Sequence, residues 1–116
     1  MRWIDAAAPQ AYTVPPDHPF LRDGVLPRAA LIELLAQCAA CAAADHAARQ
    51  GQTIGRGRLA ALRNMKFHAD VRTGDTLALQ ARPGATFGRL SQALVTVHVG
   101  TMLVAEGEMT FHVEVA

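Results

Sequence analysis

PRAALIELLAQCAACAAADHAARQG, from Pro27 to Gly51, is the stretch whose reading decides the fold. Proline suits the start of a helix because its ring presets φ and its missing N–H would have no intrahelical partner there. Gly51 supplies a C-terminal stop, and Arg49 complements the negative end of the helix dipole. These signals predict a helix from Arg28 to about Gln50. From Ala29 to Ala44 it is apolar nearly all round, which predicts burial on most faces. Glu33 and Gln37 interrupt that run. They are four residues apart, so they share one face, one turn apart. Beyond Asp45 the helix turns polar (His46, Arg49, Gln50) and must leave the core. Its many alanines let a sheet or a second helix approach closely.

Outward from the helix the pattern changes period. Met1 to Pro16 reads as an irregular entry with a short strand at Ala11 to Val14. Asp17 to Arg28 reads as a loop rich in turn residues. Gly51 to Gly57 reads as a second loop, and Leu59 to Phe67 as a strand with weak alternation. Thr73-Gly74-Asp75 is a turn. Leu77, Leu79 and Ala81 then alternate with polar residues, as do Ala93, Val95, Val97 and Val99. The longest period-two run goes from Leu103 through Ala105, Gly107, Met109, Phe111 and Val113 to Val115. Pro83 to Gly88 reads as a long hairpin loop. Gly100-Thr101 reads as a two-residue hairpin turn of type II′, with glycine first. One long helix followed by about four antiparallel strands predicts an α+β fold, a curved sheet wrapped around the helix.

Bulk properties narrow the function. The 116 residues suit one domain, and with only 5% aromatic residues the core must be built from Ala, Leu and Val. Burial against a partner subunit would remedy such small side chains. Lys+Arg (11) nearly balances Asp+Glu (10), so no basic stripe points to nucleic acid. No basic flank precedes an apolar run, and Ala29 to Ala44 is too short to span a bilayer, so the expected location is the cytoplasm. Cys38 and Cys41 have C-x-x-C spacing. They sit inside an apolar helix with no second pair to complete a zinc site, and read as small buried hydrophobes. No phosphate-loop, dinucleotide or nucleophile-elbow motif occurs.

The chemistry-bearing residue is Glu33, a carboxylate in a helix expected to be buried. Dipole stabilisation, an ion pair with Arg22 or Arg28, and a catalytic acid are the open readings. His18, in the loop between Asp17 and Pro19, is either a surface residue or the second catalytic group. His46 reads as solvated, and His68, His98 and His112 as strand residues at or near the surface. Arg56 and Arg58 read as spare positive charge on a solvated loop.

Val25-Leu26-Pro27-Arg28-Ala29-Ala30-Leu31-Ile32-Glu33-Leu34-Leu35-Ala36-Gln37 resembles the central-helix signature of β-hydroxyacyl-ACP dehydratases. In that family a Pro-Gly-Val-Leu-like start leads to Ile-Glu and, one turn later, Ala-Gln. Val71-Arg72-Thr73-Gly74-Asp75-Thr76-Leu77 resembles the family's V-x-x-G-D-x-L turn, and Leu103 to Phe111 its last strand. The chain also resembles the dehydratase-like proteins of aryl-polyene pigment clusters, which carry a D-G-x-L-P-like stretch before the same helix.

The resemblance implies one hot-dog domain over residues 1–116 and a dimer, homo- or heteromeric, with active sites at the interface. It implies that His18 of one subunit removes the C2 proton of a 3-hydroxyacyl thioester on acyl carrier protein or coenzyme A. Glu33 of the other, kept protonated by burial, would give a proton to the leaving hydroxyl. Gln37 would support Glu33, and the backbone N–H groups of Arg28 and Ala29 would polarise the thioester carbonyl. The acyl chain would lie in a tunnel lined by small helix residues and strand side chains, and no metal or cofactor is required. Three features depart from the family pattern: Pro19-Phe20-Leu21 stands where Phe-Pro-Gly is usual, His18 falls one residue early, and Arg28 replaces a glycine. The rival readings are a hot-dog thioesterase using Glu33 and water, a silent subunit paired with an active dehydratase, and a structural module.

Overall fold

The computed structural model describes residues 10–49, 51 and 54–115. The irregular entry ahead of Gln10, the helix end at Gln50, and the side chains of His46, Arg56 and Val115 lie outside what is described. The elements are β1 (Gln10–Thr13), β2 (Val25–Leu26), α1 (Arg28–Arg49), β3 (Ile54–Phe67), β4 (Val71–Arg72), β5 (Thr76–Phe87), β6 (Leu90–Val99) and β7 (Met102–Val115). β1, β5, β6, β7 and β3 form one antiparallel sheet in that order, and β2 pairs with β4. α1 packs against β5, β6 and β3.

The period-two residues of β5 and β6 point at the helix. Leu77, Leu79, Ala81, Ala93, Val95 and Val97 are buried against Ala30, Leu31, Leu35, Cys38 and Ala39 of α1. A fully buried leucine such as Leu35 contributes about 1.5–3 kcal/mol by leaving water. In β7 the alternation slips once: Val97 faces Ala105 but His98 faces Leu103, so Val104 is an extra residue. That bulge puts Val104, rather than Leu103, fully in the core. The Val99–Met102 pair closes a two-residue turn in which Gly100 has φ 61 and Thr101 is not left-handed, the type II′ pattern expected.

Three expected loops are strand in part. β5 continues through Pro83 to Phe87, because two residues, Gly84 and Ala85, oppose the single Gln92 in a bulge that absorbs the proline's missing donor. The hairpin tip moves to Gly88-Arg89, with Gly88 at φ 58. β3 begins at Ile54, not Leu59, so Gly57 and Arg58 are strand residues. Its ladder to β7 shifts register three times, which broke the alternation the sequence reading relied on. The loop from Asp17 to Arg28 contains β2. Just before it, Arg22 and Val25 exchange both backbone hydrogen bonds around Asp23 (φ 52) and Gly24 (φ 76), a type I′ turn.

The helix is less enclosed than expected. Ala29, Glu33, Gln37, Ala40, Cys41 and Ala44 form an exposed stripe on the face away from the core. Alanine carries so little apolar surface that an all-alanine face reads as buried in sequence yet stands in water at small cost.

Candidate active site

The Thr73-Gly74-Asp75 turn anchors the loop that carries His18. Asp75 Oδ2 accepts the Arg72 N–H at 2.8 Å. Gly74, at φ 87, donates its N–H to Val14, and Thr73 donates to Gly24. Together with the β2–β4 pair these bonds fix where the chain enters α1. That is the physical content of the V-x-x-G-D-x-L motif: glycine for the left-handed position, aspartate to close the turn.

At the helix entry the Pro27 carbonyl accepts from Ala30 and Leu31. The N–H groups of Arg28 and Ala29 therefore begin the helix without an intrahelical acceptor, at the positive end of its dipole. The Arg28 guanidinium lies over the Phe67 ring, 4.9 Å from its centroid. That contact draws the side chain toward the end of β3. A hollow of about 380 Å³ lies beside the helix start, lined by Phe20, Arg22, Pro27, Ala29, Ala30 and Glu33.

Glu33 is exposed on the single chain, contrary to the burial expected of it. Its partner is Gln37, whose Nε2 donates to Oε1 at 3.3 Å, as the four-residue spacing implied. The ion pairs among the described residues, Arg49–Asp45, His68–Glu106 and Arg72–Asp70, do not include Glu33, so the structural pairing with Arg22 or Arg28 is not formed. Arg22 instead donates to the Leu21 carbonyl. His18 is half-buried in a turn held by His18 N–H to the Pro15 carbonyl and Leu21 N–H to the His18 carbonyl. Its Nδ1 accepts the Phe20 N–H at 3.2 Å, and the two rings lie 5.8 Å apart. Among the described residues no hydrogen bond joins His18 to Glu33.

Farther along α1 a cleft of about 100 Å³ opens between helix and sheet. Ala39, Ala40, Ala43 and Ala44 line one wall, and Ser91, Ala93, Phe111 and Val113 the other. At 1.5 Å per residue, Ala40 to Ala44 lie about 10–16 Å along the axis from Glu33. Arg58 is exposed on β3, an edge strand of the sheet. Burial pushes the Cys38 thiol pKa up, and the nearby Cys41 adds to this, which suits an inert thiol.

Sequence reasoning did not single out Phe20, whose backbone orients His18, or Phe67, which holds Arg28. A backbone donor two residues from a histidine leaves no trace in composition. In the sheet wall of the cleft, Phe111 and Val113 belong to the alternating set of β7, and Ala93 to that of β6, both legible in the sequence.

The sequence matches the ApeP-like family, described as ApeP dehydratase, over residues 2–113. No curated protein sequence matches. Among solved structures, a chain of the dehydratase heterocomplex ApeI:P from Xenorhabdus doucetiae is 20% identical, with 88% of this chain and 71% of that one covered and a TM-score of 0.76. An acyl-CoA hydrolase from Staphylococcus aureus, solved with butyryl coenzyme A, is 18% identical over 97% of this chain and 68% of its own, TM-score 0.77. A hexameric thioesterase from Yersinia pestis is 20% identical over 92% and 84%, TM-score 0.74. These likenesses establish the fold that dehydratases and thioesterases share. With the hot-dog architecture in place and the family match spanning nearly its whole length, the chain belongs to the ApeP-like dehydratase family.

Proposed function

We propose that this chain is a subunit of a cytoplasmic dehydratase that removes water from a 3-hydroxyacyl thioester, borne by acyl carrier protein, to give the 2-enoyl thioester. The setting is fatty-acid, polyene or polyketide-type biosynthesis. His18 and Glu33 carry the reaction from opposite sides of an interface between two hot-dog subunits. Gln37 holds one Glu33 oxygen, and the Arg28 and Ala29 N–H groups receive the thioester oxygen. Arg56 and Arg58 are the carrier-contact candidates.

The observation that carries this reading is the exposed face of α1. It presents Glu33 with Gln37 beside the hollow at the helix start and, farther along, Ala40 and Ala44 at the rim of the alanine-walled cleft. A head group and an apolar tail find their chemistry at the two ends of one stripe. A second subunit laid on that stripe would cover Glu33, supplying the burial that this chain does not. The partnering of hot-dog subunits in a heterocomplex and in a hexamer supports such an assembly. The two free cysteines, Cys38 and Cys41, accord with a reducing compartment.

The test is mass-spectrometric turnover of 3-hydroxyacyl thioesters by the full chain, beside His18→Ala and Glu33→Ala. Enoyl product that disappears in both variants supports the pair. Free acid and thiol instead of enoyl product would replace this reading with thioester hydrolysis. Silence toward every thioester would favour a subunit that only shapes its partner's site.

A further inference from the structure

The face of the sheet turned away from α1 carries apolar and charged side chains that the candidate site does not use. On β6, Ala93, Val95 and Val97 are buried toward the helix, so Leu90, Gln92, Leu94 and Thr96 point outward. β6 is the middle strand of the five. A sheet curved around a helix is convex on its outer side, and its middle strand runs along the crest. Leu90 and Leu94 stand on that crest 39% and 42% exposed, and Phe87, the cross-strand partner of Leu90, is 70% exposed. Register sets what flanks them. Leu94 lies between Arg82 of β5 and Glu108 of β7, and Leu90 between Phe87 and His112. Arg82 and Glu108 are two strands apart, about 10 Å, too far to pair with each other. The other cross-strand neighbour of Glu108 is Arg63. Among the described residues none of these three charges enters an ion pair, and Glu108 accepts one hydrogen bond, from Gln92 Nε2 at 3.4 Å.

We infer that this outer face binds a second copy of the chain, crest to crest along β6, with Arg82 of each copy against Glu108 of the other. The cross-strand row reads cation, leucine, anion, and it is self-complementary about Leu94. A two-fold axis parallel to β6 sets Leu94 on Leu94 and Leu90 on Leu90, and lays β5 of each copy over β7 of the other. Arg82 then meets Glu108 twice, and Phe87 meets His112 twice, the reciprocal pairing of an isologous contact. A two-fold running across the strands would lay β7 on β7 and bring Glu106 and Glu108 against their own copies. Charge therefore selects the first arrangement. Two convex faces touch along their crests, which is where the exposed leucines stand. The contact lies on the opposite side of the molecule from the Glu33 stripe, so it does not compete with a subunit laid on that stripe, and it holds whatever reaction the site performs.

Sedimentation velocity of the full chain tests this. Arg82→Glu and Glu108→Arg each set like charge against like at both contacts, and each should weaken the pairing by about ten-fold or more. At a concentration where the unsubstituted chain is assembled, its particle should hold twice as many chains as either variant's, whether or not the helix stripe also pairs. Mixed in equal amounts, the two variants should regain the unsubstituted mass. The substituted position 82 of one chain then faces the substituted position 108 of the other with opposite charge, and the two native side chains meet at the second contact. No effect confined to one chain produces that rescue. Thermal unfolding checks that each variant is folded. Should Glu108→Arg fail to fold beside Arg63, Leu94→Lys, which sets two cations on the axis, should halve the mass instead. Equal mass for the unsubstituted chain and its folded variants overturns the inference and leaves the face to a different occupant. Loss of mass without rescue in the mixture overturns the Arg82–Glu108 contact and with it the proposed arrangement.

Discussion

Ala43→Leu tests whether the far cleft holds the acyl tail. Ala43 is half-buried on the helix wall of the cleft, opposite the sheet side chains. It lies ten residues beyond Glu33, about 15 Å along the axis at the helical rise. A butanoyl chain ends well short of that depth, and an extended hexadecanoyl chain reaches it. The cleft measures only about 100 Å³, so a leucine side chain would occupy much of it. Each methylene kept out of an apolar site forfeits about 0.8 kcal/mol. Three excluded methylenes cost about 2.4 kcal/mol, or about 60-fold in kcat/KM for the long substrate. The assay is the ratio of kcat/KM for 3-hydroxyhexadecanoyl against 3-hydroxybutanoyl thioester, with thermal unfolding as the control for folding. The expected result is a ratio reduced by that order while the short substrate is unaffected. A variant that folds normally and leaves the ratio unchanged refutes the tail assignment. Equal losses for both substrates would show that the substitution acts on the chemistry or the assembly rather than on the tail.

Other outcomes follow from packing. Leu35→Ala removes a fully buried side chain from the centre of the core and should cost about 2–5 kcal/mol, read as a lower denaturant midpoint at unchanged m. Gly107→Ala places a Cβ 3.0 Å from the Met65 Cα and against its sulfur, and should cost about 1–3 kcal/mol by overpacking where β7 meets β3. Alkylation of the native chain should label exposed Cys41 and spare Cys38, whose burial and raised pKa suppress the thiolate. If a partner covers the exposed stripe of α1, Cys41 labelling should slow as assembly is driven by rising protein concentration or added partner; an unchanged rate would count against that interface.

Much of the architecture could be read from short-range pattern. Pro27 and Gly51 bracket α1, Gly100-Thr101 closes the last hairpin, and the alternating residues of β5 and β6 face the core, because each follows from local backbone geometry or side-chain period. Glu33 and Gln37 meet because a helix brings residues four apart together. The resemblance in the Val25–Gln37 stretch and the V-x-x-G-D-x-L turn pointed to the family that the match over residues 2–113 establishes.

What the tertiary structure decided lies where local pattern is ambiguous. Bulges at Gly84-Ala85, at Val104 and along β3 break the two-residue period, so strand ends and one core residue could not be counted from it. An alanine face reads the same whether a sheet covers it or water does. Only the packing of α1 on β5 and β6 showed that the Glu33 stripe is the uncovered one. By itself the sequence determined which residues could be helix, strand, turn, acid or donor, since those are properties of residues and their neighbours in the chain. Which face meets water depends on segments far apart in the chain being brought together, and only the fold decides that.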